Sequence, residues 1–509
     1  MQRVRHIPST RPALMRLSSA LRHAQDVPGA RNAVEMWPTL VLLVVYAGLY
    51  LHFAVQLAAF PFDLDQGEGY DAWSAWMMNL GQLPYTNNAD FPYYSSNYPP
   101  LWSYLVSIPM AWLGPGLGAA RVVSTLSAVA AAGVLGIAAQ QLSGRAMAGA
   151  LAAGFFLASP YVFHTTPLAR VNSLALLGAV VGLTLLERPT RRRVLLGSLA
   201  LVAALFTKPT AIDAVVAGVL SVLIRQPRLG VVSLGLIGGL GLAGLGTLMM
   251  LTHGAFWLDV VAGNTNPFDL DQLGAYLTNF SVLHSVLLAM AAAECAWLLR
   301  RRSCSPWALY ALSASVAALG VAKWGAGESY FLGVIAATSV LSAVWVARFL
   351  DSAPPIQLRW ALGTALLIQA LLLSHAGLSD AVSWLPDRGP QSAFLGRAPT
   401  SGAHQAGQAM AAEIRTARGP VLSEDPSFTV AAGRPLLANA THLRNLYLSG
   451  LWDPAPMVSD LRTHRYAMVI LHAELYPEPV LDAIGRFYFL DHSLQVDRAT
   501  YHVFLPGTQ

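Results

Sequence analysis

Residues 101–114 read Leu-Trp-Ser-Tyr-Leu-Val-Ser-Ile-Pro-Met-Ala-Trp-Leu-Gly, an apolar stretch interrupted by Pro109. A membrane's hydrocarbon core is about 30 Å thick and asks for about 20 apolar residues in a helix, so this run is short for a span. Whether it crosses fixes the side on which every later loop falls. If it lies in the interface, Arg145, the Arg188/Arg191/Arg192/Arg193 cluster, Arg225 with Arg228, Arg300–Arg302, and Arg348 with Arg359 all fall inside. The outer loops and span ends then keep Arg121, Arg170, Lys208 and Lys323. If it crosses, both large arginine clusters land outside. The positive-inside bias selects the interfacial placement.

Working outward, the first span is Trp37–Phe60, followed by a long polar and aromatic segment, Pro61 to Pro100. Beyond the interfacial run, span candidates are Val122–Gln140, Ala146–Tyr161, Val171–Leu186, Val194–Phe206, Ala211–Ile224, Leu229–Leu251, Val282–Leu299, Pro306–Val321, Phe331–Ala347 and Trp360–His375. Pro, Gly or charge clusters punctuate most of them. The expected fold is an all-α polytopic membrane bundle of about eleven transmembrane helices, N-terminus cytoplasmic and C-terminus outside.

Composition agrees. The chain is 55% hydrophobic and 12% charged, against about 25% charged in soluble domains. A lipid-facing surface accounts for that deficit. The net charge of +5 does not suggest nucleic acid, because the basic residues fall in short clusters between apolar runs. Cys295 and Cys304 are the only cysteines, so no disulfide framework is implied. Arg3, Arg5, Arg11, Arg16, Arg22 and Arg31 crowd the first 35 residues without an apolar h-region. Residues 1–35 therefore read as a basic cytoplasmic tail, not a cleavable signal.

Residues 36–376 form the transmembrane part, with 61–120 as the first outer loop and its interfacial helices. From 377 to 509 polar residues rise and apolar runs shorten. Ala403–Arg418 and Pro479–Phe487 read as helices, and Pro420–Ser423, Ala467–His472 and Tyr501–Phe504 as strands. That mixture predicts a small extracytoplasmic α/β domain.

In this topology the unusual polar residues gather on the outer face. The first outer loop holds Asp63, Asp65, Glu68 and Asp71, then Asn87, Asn88, Asp90, Tyr93, Tyr94, Asn97 and Tyr98. Later outer turns carry His164, Arg170 and Asn172, then Thr207, Lys208 and Thr210, then Asp259, Asn264, Asn266, Asp269 and Asp271 between Thr252 and Asn279, then Lys323, Glu328 and Tyr330. Ionisable groups at helix ends are costly in a membrane protein and are functional candidates. The chain has two lysines among 32 basic residues, Lys208 and Lys323, both at outer span ends. They suit snorkelling anchors or cationic clamps for a phosphate, joined by Arg170. Asp65 and Glu68 suit a base for an acceptor hydroxyl, oxygen ligands for a divalent cation, or a helix-start cap. The tyrosines around Tyr98 suit headgroup anchors or a platform for a sugar ring. No Walker loop, HExxH or CxxC motif is present.

Three motifs of the first outer loop come in order: Asp65-Gln66-Gly67-Glu68-Gly69, Gly81-Gln82-Leu83-Pro84-Tyr85 and Asn97-Tyr98-Pro99-Pro100-Leu101. With Leu168-Ala169-Arg170-Val171-Asn172-Ser173, Phe206-Thr207-Lys208-Pro209-Thr210 and Gly263-Asn264-Thr265-Asn266-Pro267-Phe268 they resemble the C-type (GT-C) glycosyltransferases. These are the bacterial relatives of protein O-mannosyltransferases and lipid A aminoarabinose transferases. The tail Val421–Pro426 with Ala432-Gly433-Arg434 is similar to tails of such members. The resemblance implies a polyprenyl-phosphate sugar as donor, a glycan, lipid or protein acceptor, a plasma-membrane location and inversion at the anomeric carbon. It implies that an acid of the first outer loop acts on the acceptor, Asp65 matching best and Glu68 second. Some relatives have adjacent Asp-Glu, where two residues intervene here, and Asn172 stands where some have Asp. Arg170, Lys208 and Lys323 are the expected donor-phosphate ligands. Tyr98, His164, Asn172, Asp259 and Asn264 are the expected lining. A transporter or flippase for a lipid-linked sugar, or a non-catalytic scaffold, is the alternative; a transporter asks for polar residues through both leaflets.

Overall fold

The computed structural model describes residues 34–264, 266–373, 399–496 and 499–507. Most of the expected basic tail 1–35 and the start of the expected C-terminal domain lie outside these.

The helical body begins with α1 (Trp37–Ala59), α2 (Gly67–Asn79), α3 (Leu101–Leu113), α4 (Leu117–Ser143), α5 (Ala146–Ala158) and α6 (Pro160–Thr165). It continues through α7 (Asn172–Leu186), α8 (Arg191–Leu205), α9 (Ile212–Arg225), α10 (Pro227–Leu251), α11 (Ala255–Val260) and α12 (Leu270–Leu283). It ends with α13 (Ser285–Arg300), α14 (Pro306–Ala318), α15 (Leu332–Asp351) and α16 (Ile356–Leu372). Among the described residues four helices are long and apolar enough to cross a membrane: Val34–Ala59, Leu117–Ser143, Pro227–Leu251 and Glu328–Asp351. The pair Leu270–Leu283 and Ser285–Arg300, bent by 84°, would make a fifth. The other apolar helices, α3 among them, are shorter, so length and apolarity support a multi-pass body but not the count of eleven.

Burial sorts the long helices. The apolar window of Glu328–Asp351 is 83% buried, that of Pro227–Leu251 only 17%. A helix apolar on all sides and buried is a bundle's centre. Small residues on α15, Ala336, Ala337, Ser339, Ser342, Ala343 and Ala347, admit neighbours on all sides. Those on α10 leave Val231, Val232, Leu234 and Leu242 outward.

The segment Thr252–Asn279, expected to be a loop, instead holds α11 and most of α12. Asp269 caps α12 by accepting from the Asp271 and Gln272 N–H groups. Tyr276, Phe280 and Leu283 form its buried stripe. The bend to α13 leaves backbone groups without helical partners. Buried Gln369 supplies them: Oε1 accepts from Val286 and Leu287 N–H, and Nε2 donates to Leu283 O.

The C-terminal elements are α17 (Ser401–Thr416), β1 (Val421–Ser423), α18 (Pro426–Ala431), α19 (Ala440–Leu448), α20 (Ala455–Arg462), β2 (Met468–Leu471), α21 (Glu478–Phe487), β3 (Tyr488–Val496) and β4 (Ala499–Pro506). The sheet order is β1-β2-β4-β3, with β1 and β2 parallel and the other pairs antiparallel. Parallel β1 and β2 need a crossover, which α18–α20 provide. Strand β3, absent from the sequence expectation, is an edge strand with only its two end residues buried, so it lacks an apolar run.

This unit sits on the first outer loop through polar contacts. Tyr70 Oη and Gln66 Nε2 donate to Glu424 O, and Asp63 N donates to Ser427 Oγ. Asn439 Nδ2 donates to Ser95 O, and Trp452 Nε1 to Asn88 O. Tyr93 forms a parallel bridge with Ala438. Thus the loop between α1 and α3 is clamped between the helical body and the sheet unit.

Candidate active site

The loop entering α2 is set by one buried ion pair. Arg121 on α4 and Glu68 on α2 are both 0% exposed at the side chain. Arg121 Nε and Nη2 each donate to a Glu68 oxygen at 2.7 Å, and its other N–H groups reach Leu57 O, Phe60 O and Phe62 O. Glu68 also accepts from Leu64, Asp65 and Ala169 N–H. Burial pulls the Glu68 carboxyl's pKa up, but the Arg121 charge and these hydrogen bonds carry it below its ordinary value. Every oxygen of Glu68 is occupied, so its position is that of a tie between α4, the loop and the Ala169 turn. A divalent cation on Asp65 and Glu68 does not fit this arrangement. Among the described residues no three His, Cys, Asp or Glu side chains gather to hold a metal.

Asp65 lies one turn earlier and is open, its side chain 41% exposed. Its Oδ2 is 3.8 Å from Arg170 Nε. Asp71, one turn along α2, is 3.3 Å from the same nitrogen. Tyr98 Oη accepts from Arg170 Nη2 at 3.3 Å. Gly67 makes this convergence possible: a Cβ there would fall 1.1 Å from Arg170 Nη1. The two glycines of Asp65–Gly69 therefore have separate causes, since a Cβ on Gly69 would meet Pro426 of the C-terminal unit at 2.6 Å.

The electrostatics follow from burial. Asp71 is pushed up to about 7 by burial, against the pull of Arg170. Arg170 loses solvation too, but Asp71 and Asp65 hold its pKa above the ordinary value. Lys208, in the turn after α8, is pushed down to about 8 by burial, with the Arg170 charge acting the same way. Its Nζ donates to Asn172 Oδ1 at 2.7 Å and lies 5.1 Å from the Tyr330 ring centroid. Asp71 is felt by both cations, so Asp65, Asp71, Tyr98, Arg170, Asn172 and Lys208 form one group.

The remaining expected residues lie elsewhere. Lys323 is half-buried in a turn whose backbone pairs with Phe268, and no polar contact joins it to Arg170 or Lys208 among the described residues. His164 Nδ1 is 3.4 Å from Glu328 Oε2, both side chains buried. Asp259 is fully buried and accepts from Thr86 N, Asn88 Nδ2 and Ser95 Oγ, with His442 Nε2 at 3.0 Å. Burial raises its pKa. Asn264 Nδ2 donates to Val260 O and Asn97 O. Asp259 and Asn264 thus belong to the seam between outer loop, α11 and α19.

Asp71 was legible only as one of five loop acids; its spacing from Asp65, six residues with a turn between, gives no sign that both face Arg170. Arg121 had a signal, being one of the few basic residues that the expected topology keeps outside. His442 had none.

No family model matches the chain, and no curated protein matches it. Solved structures do. ArnT from Cupriavidus metallidurans bound to undecaprenyl phosphate is 15% identical, with a TM-score of 0.60 over 92% of this chain and 99% of that one. The oligosaccharyltransferase AglB from Archaeoglobus fulgidus, in complex with an inhibitory peptide and a dolichol-phosphate, is 13% identical, with a TM-score of 0.52 over 92% of this chain and 74% of that one. At these identities the likeness is one of fold: the chain shares the fold of ArnT and AglB.

Proposed function

We propose that this chain is a membrane glycosyltransferase that moves a sugar from a polyprenyl-phosphate carrier to an acceptor hydroxyl on the extracytoplasmic face of the plasma membrane. The observation that carries this is the Asp65–Arg170–Asp71–Lys208 group gathered at one end of the helices. It sits in a fold whose neighbours ArnT and AglB bind undecaprenyl phosphate and a dolichol-phosphate. Residues 36–376 would form the catalytic body and 377–509 an outer domain, with the N-terminus inside.

In this proposal Arg170 and Lys208 receive the lipid phosphate. The acceptor oxygen attacks the anomeric carbon as its bond to the phosphate oxygen breaks, inverting the centre. Charge developing on the leaving phosphate falls on two cations already stripped of water, where stabilisation is strongest. Asp65, the exposed acid, takes the acceptor proton. Asp71 orients Arg170. Glu68 and Arg121 hold the loop and touch no substrate. A transporter is less favoured, because the polar group gathers at one end of the helices.

The test is transfer of radiolabelled sugar from undecaprenyl-phosphate donors by purified protein in lipid. Asp65→Asn is expected to lose transfer by at least about 100-fold, the lower range for removing a general base, while still binding donor. Full activity in that variant would remove Asp65 as the base.

A further inference from the structure

Beside the Lys208 ammonium a cavity opens between α7, α9, α14 and α15. Part of its wall is apolar, with Leu176 and Ala179 on α7 and Leu332 on α15. The rest is polar, with Thr210 and Ser329 beside two further sets of groups. At one end Lys208 meets Asn172 beside the Tyr330 ring. Asp213, near enough to Lys208 to feel its charge, and Tyr310 face Gly333.

Gly333 explains that second set. A side chain there would begin 2.8 Å from Tyr310 Oη and 3.2 Å from Asp213 Oδ2. Its absence leaves a carboxylate oxygen and a phenol hydroxyl facing the same space. Asp213 Oδ1 takes the Ala214 N–H, which holds the side chain, and Ser313 donates to the Asp213 carbonyl, which holds the backbone beneath it.

A cationic end, an aromatic wall and a carboxylate–phenol floor suit an occupant with an anionic head and a ring bearing hydroxyls. A hydrocarbon chain does not suit it, because burying a carboxylate and a phenol against hydrocarbon leaves both without partners. Resting on the proposed donor chemistry, we infer that this cavity receives the sugar of the lipid-phosphate donor. Asp213 and Tyr310 read its hydroxyl pattern, and the phosphate stays at Lys208 and Arg170. A site built to hydrogen-bond a hydroxyl rejects analogues lacking it far more strongly than an apolar pocket rejects an extra methylene.

The experiment measures binding of undecaprenyl phosphate and of undecaprenyl-phosphate hexoses and pentoses to full-length protein in nanodiscs. Wild type is compared with the near-isosteric Asp213→Asn and Tyr310→Phe, and with Gly333→Ala. The expected result is that at least one sugar-bearing lipid binds wild type more tightly than undecaprenyl phosphate does. Asp213→Asn and Tyr310→Phe should weaken that lipid by about tenfold or more, the loss of one hydrogen bond to a charged or buried partner. Undecaprenyl phosphate should bind both variants as tightly as wild type, or more tightly to Asp213→Asn. Equal weakening of both lipids by Gly333→Ala, with no effect of the isosteric variants, would make the cavity a groove for the isoprenyl chain and overturn the inference. Wild type that binds undecaprenyl phosphate but prefers no sugar-bearing lipid would also overturn it. Wild type that binds none of these lipids would overturn the donor assignment itself.

Discussion

Glu68→Gln separates a buried tie from a catalytic acid. In the native site Oε1 accepts from Arg121 Nε and Ala169 N, and Oε2 from Arg121 Nη2, Leu64 N and Asp65 N. A glutamine amide has one oxygen and one NH2, so whichever way it turns, the NH2 faces at least two of these donors. Arg121 keeps its charge, fully buried, facing one amide oxygen and backbone carbonyls but no opposite charge. Removing one partner of such a pair costs about 3–5 kcal/mol. At roughly 1 °C per kcal/mol for a chain of this length, the unfolding temperature should fall by roughly 3 °C or more. The assay is heat denaturation in nanodiscs, followed by fluorescence of the 13 tryptophans, with transfer measured below the onset of melting. Glu68→Gln should be strongly destabilised, and its loss of transfer should accompany that destabilisation, because the displaced loop carries Asp65 with it. Asp65→Asn, at an exposed site, should lose transfer without that destabilisation. A Glu68→Gln protein that melts like wild type yet loses transfer by about 100-fold, the scale of a lost acid or base, would refute the structural role and make Glu68 the base.

Three further outcomes follow from the same contacts. Asp71 ionises near 7 and Lys208 loses its proton near 8. Phosphate binding should be strongest below about 7, where Asp71 is neutral and both cations are charged, and should fall as pH rises through both values. Asp71→Asn should remove the lower step, and a binding curve unchanged by it would dismiss this coupling. Gly67→Ala would drive a methyl into Arg170; donor affinity should drop about tenfold, as for a lost charge-assisted hydrogen bond, and unchanged affinity would mean that Arg170 does not hold phosphate. His442→Ala should leave buried Asp259 short of a donor and cost about 1–3 kcal/mol at the seam. Faster amide exchange at 84–97 and 440–448 should report it, and exchange like wild type would deny the seam its role.

How much was legible depends on the range of the contacts concerned. The long spans Trp37–Ala59, Leu117–Ser143 and Pro227–Leu251 stand where apolar runs stand, because desolvation in a bilayer is a property of the run itself. Helix α17 and strands β1 and β2 were likewise local, each with its own period or apolar block. Helix α12 was not, since its first turn carries Leu270 and Asp271 in a polar stretch, and its bend is held by Gln369, some eighty residues away.

The sequence by itself determined a membrane-embedded helical body with a small mixed tail, and it determined that Asp65, Arg170 and Lys208 would lie towards one face. Hydropathy and charge bias act through composition, which a chain carries before it folds. Only the tertiary structure decided which acid is free. Asp65 and Glu68 differ by a single turn in sequence, yet one is open and the other is sealed by Arg121 from α4. Only the tertiary structure brought Asp71 against Arg170, set Asp213 and Tyr310 around Gly333, and placed His442 on Asp259. Each of those depends on which helices become neighbours, and packing settles that across distances that no local pattern records.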